Sequence, residues 1–125
     1  MNFFRKEDIT ELSNPGVVSR QLLTPERVPE TRVTVTQVRL DPGAVQPRHI
    51  HADSAQFWYA ERGEGTLLLA GGAEHPFRPG DAVRFAPGDI HGVRNDGREE
   101  LVYISVTSPP ISFEKAYKDR KKSLG

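Results

Sequence analysis

Apolar and polar residues alternate in short runs along most of this chain, and Gly, Pro, Asn or Asp separates one run from the next. The clearest run is Thr31 to Leu40 (TRVTVTQVRL), where Val33, Val35, Val38 and Leu40 alternate with Thr and Arg apart from one slip near Gln37. A period of two with β-branched residues predicts a half-buried strand, and the slip predicts a bulge in it. Similar runs predict strands over Gly16 to Leu23, Gln56 to Glu61, Thr66 to Ala70, Ala82 to Ala86, His91 to Arg94 and Leu101 to Thr107. Turn chemistry fills the gaps: Asp41-Pro42-Gly43, Gly71-Gly72, Pro79-Gly80-Asp81, Pro87-Gly88-Asp89 and Asn95-Asp96-Gly97. Strands this short and this regularly spaced predict an all-β fold, an antiparallel sandwich or barrel, over 16–108. An arm over 1–15 precedes it, with one short helical turn for which Asp8 is the cap, broken by Asn14-Pro15-Gly16. After Ser108-Pro109-Pro110 the pattern changes, and Phe113 to Lys122 (FEKAYKDRKK) predicts a short C-terminal surface helix within 109–125, with Ser112 as cap and basic residues in the last turn.

Composition narrows the functional classes. A chain of 125 residues makes one domain. Seventeen basic and 17 acidic residues leave no net field to draw nucleic acid or an anionic membrane. With no cysteine, disulfides, thiolate nucleophiles and cysteine-held metals are excluded. The charged N-terminus (MNFFRKEDITEL) lacks the apolar core of a signal peptide, and no segment has the length of a membrane span. The expectation is a soluble cytoplasmic protein with a small-molecule substrate or ligand.

The chemistry gathers in GAVQPRHIHADSAQFWYAERG, Gly43 to Gly63. His49 and His51 stand one residue apart, and in an extended strand both rings point to the same face. Gln56, an amide oxygen donor, follows, and His91 comes later in APGDIHGVRN. Three imidazoles and an amide oxygen suit one divalent metal ion: zinc, iron, copper and nickel accept imidazole nitrogen, and the harder oxygen also suits manganese. Of four histidines only His75, expected in a loop, lies outside this set.

Two motifs carry a resemblance. G-x5-H-x-H-x4-Q-x6-G, on Gly43, His49, His51, Gln56 and Gly63, resembles the first motif of the cupin superfamily, which normally has Glu where this chain has Gln. The second cupin motif, G-x5-P-x-G-x2-H-x3-N, resembles Gly80 to Asn95, with Gly80, Gly88, His91 and Asn95 in place and its proline displaced from Ala86 to Pro87. The resemblance implies a small single-domain double-stranded β-helix, or jelly-roll barrel. It implies one metal ion in the mouth, held by His49, His51, position 56 and His91, and pairing into homodimers.

Gln56 is the departure from the family pattern. A neutral amide leaves the full divalent charge on the site, which favours an anionic ligand such as a carboxylate, enolate or enediolate. It also removes the obvious carboxylate base, leaving a metal-held water or a residue outside the motif; Tyr103 is the candidate by elimination, with core packing as its other role. If Gln56 faces the metal, Trp58 and Ala60 share its face while Phe57 and Tyr59 point away, and Val93 flanks His91. Trp58, Val93 and Tyr103 are therefore the expected pocket residues. Arg48, Arg62 and Arg84 have no assignable orientation.

Three functions follow. The first is a metalloenzyme acting on a small oxygen-rich or anionic substrate, either a dioxygenase or an enediolate-type isomerase or lyase. The His, His, Gln, His set resembles the small cupins that open unsaturated uronate sugars. The second is a non-catalytic binding or sensor module using the same pocket, and the third a storage protein.

Overall fold

The period-two runs become strands of two antiparallel sheets in the computed structural model, which describes residues 1–122, with side chains to 119. In chain order the strands are β1 (Thr10–Asn14), β2 (Val17–Leu23), β3 (Thr34–Leu40), β4 (Val45–His49), β5 (Ala55–Arg62), β6 (Gly65–Leu69), β7 (Glu74–Phe77), β8 (Ala82–Phe85), β9 (His91–Asn95), β10 (Leu101–Ser108) and β11 (Asp119–Lys122). Seven form one sheet in the order β11-β1-β2-β3-β10-β5-β8, and four form the other in the order β4-β9-β6-β7. The inner faces enclose a core of Val17, Val38, Leu40, Trp58, Ala60, Leu67, Phe77, Phe85, Val93, Leu101 and Tyr103. This is the expected jelly roll.

Cross-strand registers grade the inner face of the larger sheet. At one end Val17, Leu40 and Leu101 lie in a row. Next come Ser19, Val38, Tyr103 and Ala60, then Gln21, Thr36, Ser105 and Trp58. The last row is Thr34, Thr107 and Gln56. The barrel is apolar at one end and hydroxyl-lined at the other, where His49, His51 and Gln56 border a cavity.

That gradient corrects the phase assigned to Thr31 to Leu40. In β3 the buried positions are Thr34, Thr36, Val38 and Leu40 in unbroken alternation, and Val35 faces outward. The slip near Gln37 is therefore no bulge in this strand; the irregularity lies on β2, between Gln21 and Leu23. Polar residues point inward here because they meet a cavity, and a valine points outward because the outer face of a central strand is itself half covered.

Both ends also differ from expectation. The N-terminal turn is a 3-10 turn over Lys6–Asp8 with Asp8 inside it rather than capping it, and Thr10–Asn14 is a strand. Over the expected C-terminal helix the structure has one 3-10 turn, Glu114–Ala116, followed by β11. The reason is competition for backbone groups. Asn14 donates to the Ala116 carbonyl at 3.1 Å and accepts the Lys118 N–H at 3.0 Å, which Ser13 O also accepts at 3.1 Å. Groups that a helix would pair internally are held by β1 instead. His75 lies on the edge strand β7 rather than in a loop; its neighbour Pro76 has no N–H to give a ladder, which suits an edge.

Two residues pin the loops under the site. Gly63 has φ +83°, and a Cβ there would stand 2.5 Å from Glu100 O, so neither conformation nor space admits a side chain. Asn95, 1% exposed, donates to Leu40 O and Glu99 O and accepts the Gly97 N–H, each at 2.9 Å. Asn95→Ala leaves three backbone groups without partners and is expected to cost about 3 kcal/mol, measured as a lower denaturant midpoint with an unchanged slope.

Candidate metal centre and cavity

The site begins with an irregularity in β4. Gln46 pairs with Val93 and His49 with His91, so three steps along β4 match two along β9 and one residue is extra. Pro47, which cannot donate to the ladder, falls in this bulge. The extra residue changes the parity of the strand: Gln46 and His49, which regular alternation would set on opposite faces, both reach the interior cavity. Gly92 makes room for this. A Cβ at Gly92 would stand 2.6 Å from Gln46 O and 2.8 Å from the Pro47 carbonyl carbon, so the bulged backbone lies where any other residue would carry its side chain.

His51 lies beyond the end of β4, so strand alternation does not govern it, yet its ring joins the other two. Its carbonyl accepts the Gly88 N–H at 2.9 Å, which ties the loop after β4 to the turn before β9. Ring centroids are 4.9 Å apart for His49 and His51, 4.4 Å for His49 and His91, and 5.3 Å for His51 and His91. One nitrogen from each of the three lies within 4.8 Å of the others, a spacing that a single metal ion spans. His91 is wedged between Phe85, stacked at 4.5 Å, and the edge of Trp58 at 5.6 Å.

Hydrogen bonds fix which nitrogens face inward. His49 Nδ1 meets Pro47 O and His91 Nδ1 meets Asp89 O, each at 2.8 Å. A carbonyl only accepts, so both rings carry hydrogen on Nδ1 and direct the Nε2 lone pair into the site. Gln56 is fixed as firmly. The Trp58 indole N–H, which only donates, meets Gln56 Oε1 at 3.1 Å, and Gln56 Nε2 donates to Thr107 Oγ1 at 2.9 Å. The amide oxygen therefore faces His91 Nε2, 3.1 Å away. Two acceptors at that separation repel unless a cation stands beside them. His51 Nε2 is sealed from solvent with no partner among the described residues. Burial lowers the His91 pKa against the pull of the Asp89 carbonyl, and burial with the neighbouring His49 and His91 pushes His51 down to about 4. Protons are thus poorly suited to fill the gap, and the donor set fits a divalent ion.

Beside the histidines lies a cavity of about 340 Å³. Trp58 and Tyr103 stand on its wall as expected; Val93, fully buried, belongs to the core and not to the wall. Gln56, Trp58 and Ala60 do face inward, while Phe57 and Tyr59 are 46% and 45% exposed. Arg48 reaches the rim, its guanidinium donating to Leu69 O at 2.8 Å and Ala73 O at 3.4 Å. No carboxylate lines the cavity among the described residues.

Sequence reasoning missed the rest of the wall. Ser19, Thr36 and Ser105 supply hydroxyls, and Phe113 and Tyr117 come from the C-terminal segment that was expected to be a surface helix. The segment crosses the mouth as a strap, with Phe113 edge-on to His51 at 6.0 Å. The available signal was the placement of Ser and Thr at inward-facing positions of otherwise β-branched strands.

A family model described as Cupin domain matches residues 36–107. The solved structure of a sugar phosphate isomerase from Silicibacter pomeroyi is 29% identical, with a TM-score of 0.66 over 75% of this chain and 60% of that one. A predicted oxalate decarboxylase from Thermotoga maritima is 23% identical, with a TM-score of 0.73 over 86% of this chain and 98% of that one. Ectoine synthase from P. lautus, 17% identical, covers 100% of this chain and 91% of its own, with a TM-score of 0.77. No helix of the described residues is long and apolar enough to cross a membrane.

The depressed His51 pKa carries a pH dependence. Its value is about 4 in the fold and 6.5 when free, so between these the unfolded chain binds the proton that the folded chain refuses. Chelator-treated protein is expected to hold its melting temperature above pH 6.5 and to lose it as the pH falls toward 4. A His51→Gln variant should show a shallower decline in the same thermal scans.

Proposed function

The chain belongs to the cupin domain family, and from that premise we propose that it is a divalent-metal-dependent enzyme acting on a small oxygen-rich or anionic substrate, with His49, His51, Gln56 and His91 as the metal ligands. The observation that carries the proposal is the convergence of lone pairs: inward Nε2 atoms on His49 and His91, a sealed and unpartnered His51 Nε2, and Gln56 Oε1 turned toward His91 by its bonds to Trp58 and Thr107. A bound ion would supply Lewis acidity toward a chelated carboxylate or enolate.

The protein's own residues set the rest. Three neutral imidazoles and an amide cancel none of the ion's charge, so the corner favours an anionic group. Trp58 holds Gln56 from one side and forms cavity wall on the other. Phe113, from the strap, packs edge-on against His51 and covers part of the histidine corner. The reaction is a dioxygenation or an enediolate-type isomerisation or elimination, and the likeness to the Silicibacter pomeroyi sugar phosphate isomerase supports the isomerase branch. One observation favours a non-catalytic ligand-binding role instead: with no carboxylate on the wall, a base must come from a phenol or from the ligand set itself.

Elemental analysis of untagged protein is the test. About one divalent ion per chain is expected, lost in His51→Ala and kept in Gln56→Glu, with weaker carboxylate binding in the latter because the added charge opposes the ligand. No metal above background after reconstitution would remove the metalloenzyme proposal. Iron, nickel or copper would direct assays to oxygen uptake, and zinc or manganese to isomerase and lyase substrates.

A further inference from the structure

Away from the histidines the cavity wall changes sign. Tyr103, 1% exposed, has no hydrogen-bond partner among the described residues, and its row neighbours Val38 and Ala60 offer none. The sealed-off polar atoms without partners are Arg20 Nε, Arg39 Nε and His51 Nε2; the Tyr103 hydroxyl is not among them, so it opens on the cavity that the residue lines. Tyr117 comes from the strap. Its phenol oxygen accepts Gln46 Nε2 at 3.1 Å, and the Ser19 hydroxyl, itself held by Gln21 Nε2 at 2.9 Å, stands against it. Gln46 Nε2 can only donate, so it takes one lone pair of the Tyr117 oxygen, and the phenol hydrogen is free to turn to the Ser19 hydroxyl or to a ligand in the cavity. Burial raises the pKa of both phenols, and the neighbouring Tyr117 raises Tyr103 further, so both remain donors at neutral pH. One corner thus presents converging lone pairs, and the wall presents the Tyr103 phenol hydrogen without an acceptor and the Tyr117 hydroxyl beside it.

We propose that Tyr103 and Tyr117 form a second recognition point, donating to a carbonyl or hydroxyl oxygen on the body of an oxo or hydroxy carboxylic acid whose carboxylate is drawn to the histidine corner. The carboxylate end rests on the metal proposal above; the oxygen end rests on the phenols alone. The cavity is at the small end of the range for ligand sites, about 300–1,000 Å³, which suits a short acid. Among the described residues Arg48 is the one Lys or Arg that lines the cavity, and its guanidinium is turned to Leu69 O and Ala73 O at the rim. An acid lacking the body oxygen would leave the buried Tyr103 phenol unpaired, the condition under which a polar site discriminates strongly.

Trp58 is the single tryptophan and lines the cavity, 4.4 Å from Tyr103 between ring centroids, so its fluorescence reports occupancy directly. Full-length, metal-loaded protein would be titrated with pyruvate, acetoacetate and levulinate, each against the parent acid that lacks the carbonyl: propionate, butyrate and pentanoate. At least one oxo acid should bind about tenfold more tightly than its parent. Tyr117→Phe and Tyr103→Phe should each remove most of that difference while leaving the parent's affinity nearly unchanged, which also shows that the variant is folded. No binding of any oxo acid, no preference over the parents, or a preference that survives both substitutions would overturn the proposal. The same titrations after chelation separate the two proposals: if the parent acids bind as well without metal, the metal proposal fails, while the oxo-to-parent ratio still decides the role of the phenols.

Discussion

The hydrogen bond from the Trp58 indole to Gln56 Oε1 is the contact on which the site depends. An amide is symmetric in shape, and without a donor that cannot accept, Gln56 could present either end to His91. The indole removes the choice, and Thr107 closes it from the other side. The same indole lies against Tyr103, Phe85 and His91, so the residue that orients the Gln56 oxygen also packs the core beneath the histidines. Core packing and ligand orientation are carried by one side chain. A smaller residue there would loosen both together, because a cavity in the core and a free amide are the same event.

Around that contact the barrel is polarised. Its apolar end, with Val17, Leu40 and Leu101, supplies burial, and its hydroxyl-lined end tolerates inward polar groups because a cavity receives them. The bulge in β4 completes the arrangement by turning both Gln46 and His49 inward, at the cost of requiring glycine at position 92. Gln46 then serves Tyr117 and His49 joins the histidine cluster, so one extra residue in one strand feeds both ends of the cavity.

Much of this was legible in the sequence and some was not, for identifiable reasons. Turn residues and alternation located seven of the strands, since both signals are local, and the His49-x-His51 spacing pointed to β4; β1, β7 and β11 are edge or near-edge strands whose existence depends on a neighbour. The convergence of His49, His51 and His91 followed from motif spacing, although His51 reaches the site from a loop and not by alternation. Thr34 and Thr36 were set on the wrong face because inward threonines only make sense once a cavity exists. Phe113 and Tyr117 were hidden for a deeper reason: good helix formers in FEKAYKDRKK have a strong local preference, and Ser13 and Asn14, about a hundred residues away, offer the segment's backbone a better one.

The strap has a second office. In the larger sheet β1 would be the last strand, with a full row of amide and carbonyl groups facing solvent, and such an edge invites pairing with another chain. The chain that leaves Tyr117 over the cavity runs directly into β11, which takes that edge through four residue pairs from Thr10 to Ser13. Covering the cavity and capping the sheet therefore fall to one segment of chain. A chain that lost the strap would not merely open its pocket; it would expose the sheet itself as a template for self-association.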